Sequence, residues 1–174
     1  TPPFAFWTAL LPIQPDRMKR TLELIDLTLT LASFAEQRFK HALAVPRPQH
    51  VNAAVVPAIL TPGHASLPSG HSTEVFAVSH VLLDLLGHKP DSYIANMFMG
   101  LAARVAFNRQ LAGVHYAMDS AAGRLLGKVL ADFVLARCTG TGPRIDARFD
   151  GGRPELGSLT FDLTGRWADV STHP

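Results

Sequence analysis

An all-α fold, a compact helical bundle with long proline-rich loops and irregular terminal arms, is what this sequence predicts. Three observations predict it. Apolar residues make up 47% of the 174 residues and charged residues 17%, a balance suited to one domain with a sizeable core. Apolar residues recur at helical spacing in four long segments, while strand-like alternation is almost absent before residue 139. The segments are separated by Pro and Gly, the residues that stop helices.

In chain order, residues 1–15 are proline-rich and are expected to wrap the surface. A first helical pattern runs from Asp16 to Ala44 through Leu22, Ile25, Leu29 and Phe34, and ends before Pro46 and Pro48. Residues 46–70 carry five prolines and predict a long ordered loop, with a short helix near 51–59. Loops of this length inside a compact domain are usually functional. A second helix is expected from Ser69 to Leu86, stopped by Gly87 and Pro90, and a third from a cap at Asp91 or Ser92 to about Phe107. A fourth follows the Gly113 turn, from His115 to Arg137. The helical domain is thus 1–138, with 139–174 an irregular arm in which 158-SLTFDLTGRW-167 is at best a weak hairpin.

A net charge of +2, with no window dense in Lys and Arg, argues against a nucleic-acid partner. The most apolar stretches, 75–86 and 93–107, are interrupted by His80, Asp84 and Arg104 and are too short to span a bilayer. They read as core helices of a soluble protein, cytoplasmic or exported, with room for a homo-oligomer. The single cysteine, Cys138, excludes an internal disulfide and is expected to be a bystander.

Three polar groups stand at element boundaries rather than on a core stripe: 40-KHALAVPRP-48, 68-PSGH-71 and 108-NRQLAGVHYAMD-119. Lys40 near a helix end and Arg47 just beyond it can both reach one oxyanion, Arg as a planar fork and Lys as a point charge. Ser69 and the Gly70 amide stand where free N–H groups at a helix start point at an anion, and Gly70 leaves the backbone bare. Arg109 adds a third cation. His115 and Asp119, four apart, would share a helix face, so the carboxylate could hold Nδ1 and leave Nε2 free. His71 remains as a separate acid–base group. Each group alone has a bland reading: a surface ion pair, solvated charges, an ordinary turn. Their occurrence together in one chain favours a phosphate-sized pocket holding a nucleophile, its orienting carboxylate, a proton donor and an anion cradle.

The order and spacing resemble the signature of the type 2 phosphatidic acid phosphatase and vanadium haloperoxidase superfamily: Lys-x6-Arg-Pro, then Pro-Ser-Gly-His, then Ser-Arg-x5-His-x3-Asp. Lys40, Arg47 and Pro48 meet the first block, and Pro68 to His71 complete the second. Arg109, His115 and Asp119 meet the third, whose leading serine is replaced by Asn108. Asn108 can still donate a hydrogen bond from behind the site. The resemblance covers about 36–130. It implies a bundle with the site among helix ends, and a phosphoester hydrolysis without a metal in which the position of His115 becomes a phosphohistidine. There Asp119 orients, His71 protonates the leaving oxygen, and Lys40, Arg47, Ser69, Gly70 and Arg109 hold the oxygens. In haloperoxidases the same cradle binds vanadate as cofactor, with His115 as its protein ligand.

The phosphatase is the simpler reading for a small-molecule phosphate ester, since haloperoxidases are usually longer. Phe76 or Trp7 could serve a halide site but read as core. His64, seven residues before His71, is a further polar candidate at the site's edge. The remaining histidines share no spacing, and Arg104 is expected to pair with a carboxylate or reach the site rim. A serine hydrolase built on Ser69, His115 and Asp119 lacks the strand-to-helix elbow it needs. A divalent-metal hydrolase lacks HExxH or a carboxylate cluster. A non-catalytic anion-binding module would not need an oriented His/Asp pair.

Overall fold

The structure, a computed structural model, describes residues 4–140. It is all-α: α1 (Phe4–Leu10), α2 (Lys19–Leu43), α3 (Pro48–Val51), α4 (Gly70–Leu85), α5 (Tyr93–Leu111) and α6 (Ala117–Thr139), with no strand among the described residues.

α4 is the axis of the bundle and packs against α2, α5 and α6. Its sequence explains this, since Val75, Phe76, Ala77, Val78, Val81, Leu82 and Leu83 cover its circumference and all are buried. A helix apolar all round is a core helix. The partners present narrower faces. α2 buries Ile25, Thr28, Ala32, Glu36 and Lys40, a stripe at helical spacing that starts apolar and becomes ionic in its last two turns. α6 faces α4 with small residues. A Cβ at Gly123 would lie 2.6 Å from the carbonyl oxygen of Ser69, and one at Gly127 2.6 Å from that of Thr73. Backbones this close tolerate no side chain, so the two glycines set the distance between α6 and the start of α4.

Helix ends follow local chemistry. Ser92 caps α5, its Oγ accepting the Ala95 amide at 3.2 Å. Ala44 closes α2 with a left-handed backbone (φ 49°), its amide bonding the Lys40 carbonyl.

Several expectations are corrected. Of the proline-rich start, the described residues 4–15 do not simply wrap the surface: 4–10 form α1, and Trp7, fully buried, joins Ile13, Phe76 and Phe98 in the main core cluster. The burial of one indole outweighs a proline-rich context. Phe76 and Trp7 are therefore core, in line with the simpler expectation. Phe34 is 66% exposed, out of phase with the 25–28–32–36 stripe. The short helix in the 46–70 loop lies at 48–51 rather than 51–59, because Pro48 occupies its first turn, where no amide is needed. α5 continues to Leu111, and α6 begins at Ala117 rather than His115. Arg104 is exposed on α5. Residues 141–174, including the expected hairpin at 158–167, lie outside the described residues.

Candidate active site

The ionic end of α2, the 64–70 segment, the start of α4, the end of α5 and the turn before α6 meet at one end of the bundle. Lys40 and Arg47 are each only 1% exposed. Lys40 Nζ donates to the carbonyls of Ala65 (3.2 Å), Ser66 (3.1 Å) and Pro68. Three donors meet three carbonyls, so Lys40 ties α2 to the segment leading into α4, where the Leu67–Pro68 peptide is cis. Arg47 reaches across the site. Its Nε donates to the His64 carbonyl (2.8 Å) and its Nη1 to the Val114 carbonyl (2.7 Å), and Nη1 stands 3.4 Å from His115 Nε2.

His115 is not on the same helix as Asp119, as the four-residue spacing suggested. It lies in the turn before α6, and Asp119, in the helix's first turn, folds back toward it. One carboxylate oxygen, Oδ2, accepts His115 Nδ1 (2.9 Å), the Tyr116 amide (3.0 Å) and the Ser66 hydroxyl. The pair is therefore a helix cap turned to another use: the carboxylate satisfies a free N-terminal amide and orients an imidazole together. With Nδ1 committed to Asp119, the tautomer is set and Nε2 faces Arg47 bare.

Sequence reasoning missed Ser66. It is fully buried, donates to Asp119 and lies 3.4 Å from His115 Nδ1. Only the fold brings it there, 53 residues from Asp119. Its one local signal is a small polar residue inside the proline-bounded 62–68 segment. Glu36 was missed as well.

Gly70 is small for a reason the sequence does not show. A Cβ there would overlap Oε2 of Glu36 and lie 2.6 Å from its Cδ, so the glycine admits the Glu36 carboxyl beside the first turn of α4. Ser69 is the residue before that helix, fully buried, and its Oγ has no hydrogen-bond partner; Nε of Arg109, in the last turn of α5, is likewise buried without one. Unsatisfied buried donors are rare in native proteins and point to a missing acceptor. His71 is half-buried in the first turn of α4. His64 is exposed, its Nδ1 3.3 Å from Arg47 Nη2, and it borders a cavity of about 370 Å³ with Lys40 and Arg47. Asn108 is exposed, and no polar contact among the described residues joins it to the site.

The titrating groups share one field. Burial lowers His71 to about 4, helped by the charge of Arg109 and by His115 and Lys40. Burial also lowers His115, while the hydrogen bond and charge of Asp119 push it back up. Lys40 falls to about 8 through burial, partly offset by Glu36. Burial lowers Arg47, against Asp119 and with Arg109. In the absence of an anion both imidazoles are thus held neutral, among three cations.

A family model, described as the PAP2 superfamily, matches residues 24–140, the stretch that carries every side chain just placed. The chain belongs to the PAP2 superfamily. It is also 32% identical over 135 residues to the vanadium-dependent bromoperoxidase of Ascophyllum nodosum, a match covering 60% of this chain. The chain spans about a quarter (24%) of that relative's length. PAP2 members are enzymes of phosphatase or haloperoxidase type, and the site is consistent with either class. Among the described residues, no helix is long and apolar enough to cross a membrane.

Proposed function

We propose that this chain is a phosphoric monoester hydrolase that works through a phosphohistidine on His115 and needs no divalent metal. The observation that carries the reading is the pair of orphaned buried donors, Ser69 Oγ and Arg109 Nε, in a site where Arg47 meets a bare imidazole nitrogen. A tetrahedral oxyanion supplies the acceptors these donors lack.

The phosphoryl oxygens would lie against Arg47, Arg109, Ser69 and the amides at the start of α4, that of Gly70 among them. Lys40 contributes its charge and keeps the 65–68 segment in place. Nε2 of His115 forms a bond to phosphorus as the ester P–O bond breaks, and Asp119 stabilises the imidazolium that results. His71 gives its proton to the departing oxygen. In the second half, neutral His71 takes a proton from water, whose oxygen attacks phosphorus and returns His115 to its free form. His71 must first gain a proton, which the incoming dianion favours by opposing the field that holds it neutral.

The bromoperoxidase relative supports a second reading. The same donors fit vanadate, a tetrahedral oxyanion of similar size: His115 Nε2 would ligate it, Arg47, Arg109, Ser69 and the Gly70 amide would hold its oxygens, and Lys40 would add its charge from behind. When bound, vanadate supplies the Lewis acidity that activates hydrogen peroxide for halide oxidation. His64, at the rim and hydrogen-bonded toward Arg47, would then adjust protonation at the site edge.

Parallel assays separate the readings. One arm measures phosphate ester hydrolysis with EDTA present, and the other measures bromide oxidation with vanadate and peroxide. Hydrolysis that survives EDTA supports the phosphatase. Turnover only in the vanadate arm would replace it with the haloperoxidase.

A further inference from the structure

Glu36 has no part in the chemistry above, yet it is buried at the edge of the cradle. It is only 5% exposed, one turn before Lys40 on α2. Its Oε1 accepts Gln37 Nε2 at 3.1 Å, and its Oε2 has no hydrogen-bond partner. That bare oxygen lies against Gly70, the residue that opens α4. Glu74, one turn further along α4, bears on it with a second carboxyl, while Lys40 and Arg47 bear on it as cations.

Position gives the carboxyl a purpose. Its unpartnered oxygen lies against the first residue of α4, where the free amides that would hold an oxyanion begin. An ionised carboxylate there would stand beside the bound dianion with no donor of its own, and like charges in a desolvated site repel strongly. A proton on that oxygen removes the repulsion.

We propose that Glu36 takes up a proton when a dianionic oxyanion binds, so that no bare carboxylate faces the ligand across the start of α4. This rests on the reading of the site as an oxyanion cradle. The proton comes from solvent and resides on Oε2, the oxygen without a partner; no other bond changes. Burial already draws the carboxyl up to about 7, against the pull of Lys40, so it is poised to be filled near neutrality. The groups facing it are Gln37 and Lys40 from α2, Glu74 from α4 and Arg47 from the loop after α2.

The test uses tungstate, a tetrahedral dianion that does not itself titrate near neutral pH, added to the whole chain at about pH 8. An infrared difference spectrum of the wild type should gain the C=O stretch of a protonated carboxyl, shifted in D₂O. The band should be missing in Glu36→Gln and retained in Glu74→Gln. Because Glu36→Gln is permanently neutral, it should bind tungstate about tenfold more tightly than wild type at that pH, the factor for a group titrating about one pH unit lower. Tungstate bound with no new band, or a band that persists in Glu36→Gln, overturns the inference and leaves the cradle standing. Failure of tungstate, phosphate and vanadate alike to bind the wild type overturns the cradle itself, and this inference with it. If Glu36→Gln does not fold, Glu36→Asp keeps the carboxyl and should move the band; an unmoved band counts against Glu36.

Discussion

Nη1 of Arg47 lies 3.4 Å from Nε2 of His115, joining the loop after α2 to the turn before α6. Behind the imidazole, Asp119 holds Nδ1 at 2.9 Å, and in front a guanidinium waits beside the free nitrogen. The imidazole is thus fixed from both sides before any ligand arrives.

Asp119→Asn should leave the fold intact and reduce kcat by roughly 10³- to 10⁴-fold, the scale seen when an orienting carboxylate in a catalytic triad is made neutral. Ser66→Ala should cost less, about 10- to 100-fold, since it removes one hydrogen bond to a charged group. Without that bond the carboxylate's charge is shared with one donor fewer and holds the imidazolium better. The limb of the kcat profile at which His115 becomes neutral should therefore move to higher pH. A drop in rate with an unmoved profile would mean Ser66 is only structural.

The His71 imidazole, lowered to about 4 by burial and by Arg109, predicts an acidic profile. A proton donor must be protonated, so kcat/KM should fall as pH rises above about 4. In kcat the same limb should lie higher, because a bound dianion favours the imidazolium. Steady-state kinetics of His71→Ala test the assignment. The loss should be about 10²- to 10⁴-fold for an alkyl phosphate and far smaller for p-nitrophenyl phosphate, whose leaving group needs little protonation. Equal losses for both would remove His71 from the donor role.

Gly70→Ala places a methyl group on the Glu36 carboxyl and should destabilise the fold by about 1–3 kcal/mol, as overpacking does. Glu36→Ala empties that space, so the double variant should recover most of the loss in a denaturant titration. An additive double variant would break the link between the two residues.

Glu36 also gives stability a pH dependence of known sign. Burial raises its carboxyl from 4.5 to about 7 in the fold, so its contribution is intact below about 4.5 and is lost as pH rises through about 7. Glu36→Gln removes that loss. Its stability relative to wild type should climb between about pH 4.5 and pH 8 by up to about 3 kcal/mol, the free energy of holding a proton that the unfolded chain releases. A difference that stays flat with pH would show that Glu36 is not held near neutrality.

The helix plan and the three polar blocks were legible in the sequence because periodicity, caps and breakers are local. α4 starts just after Ser69 and α5 at a Ser92 cap, both as expected. What escaped depends on tertiary approach. Trp7 enters the core through packing that a proline-rich stretch does not announce, and Ser66 meets Asp119 only when the loop closes on α6. Glu36 resembles any solvated charge on an amphipathic helix until α4 is placed against it. His115 and Asp119 were paired correctly, but through a capping turn rather than along a helix face. Asn108, which fills the motif's serine position, is exposed, while Gln110 two residues on donates to Ser120 Oγ at 3.0 Å.

Arg47, Ser69, Arg109 and His115 are proposed to converge on one tetrahedral oxyanion, and a crystal structure with orthovanadate decides whether they do. Vanadium should be bonded to His115 Nε2, with oxygens within hydrogen-bond distance of Arg47, Ser69 Oγ and Arg109 Nε. Vanadate bound elsewhere on the chain, with Ser69 and Arg109 still without partners, would contradict that convergence.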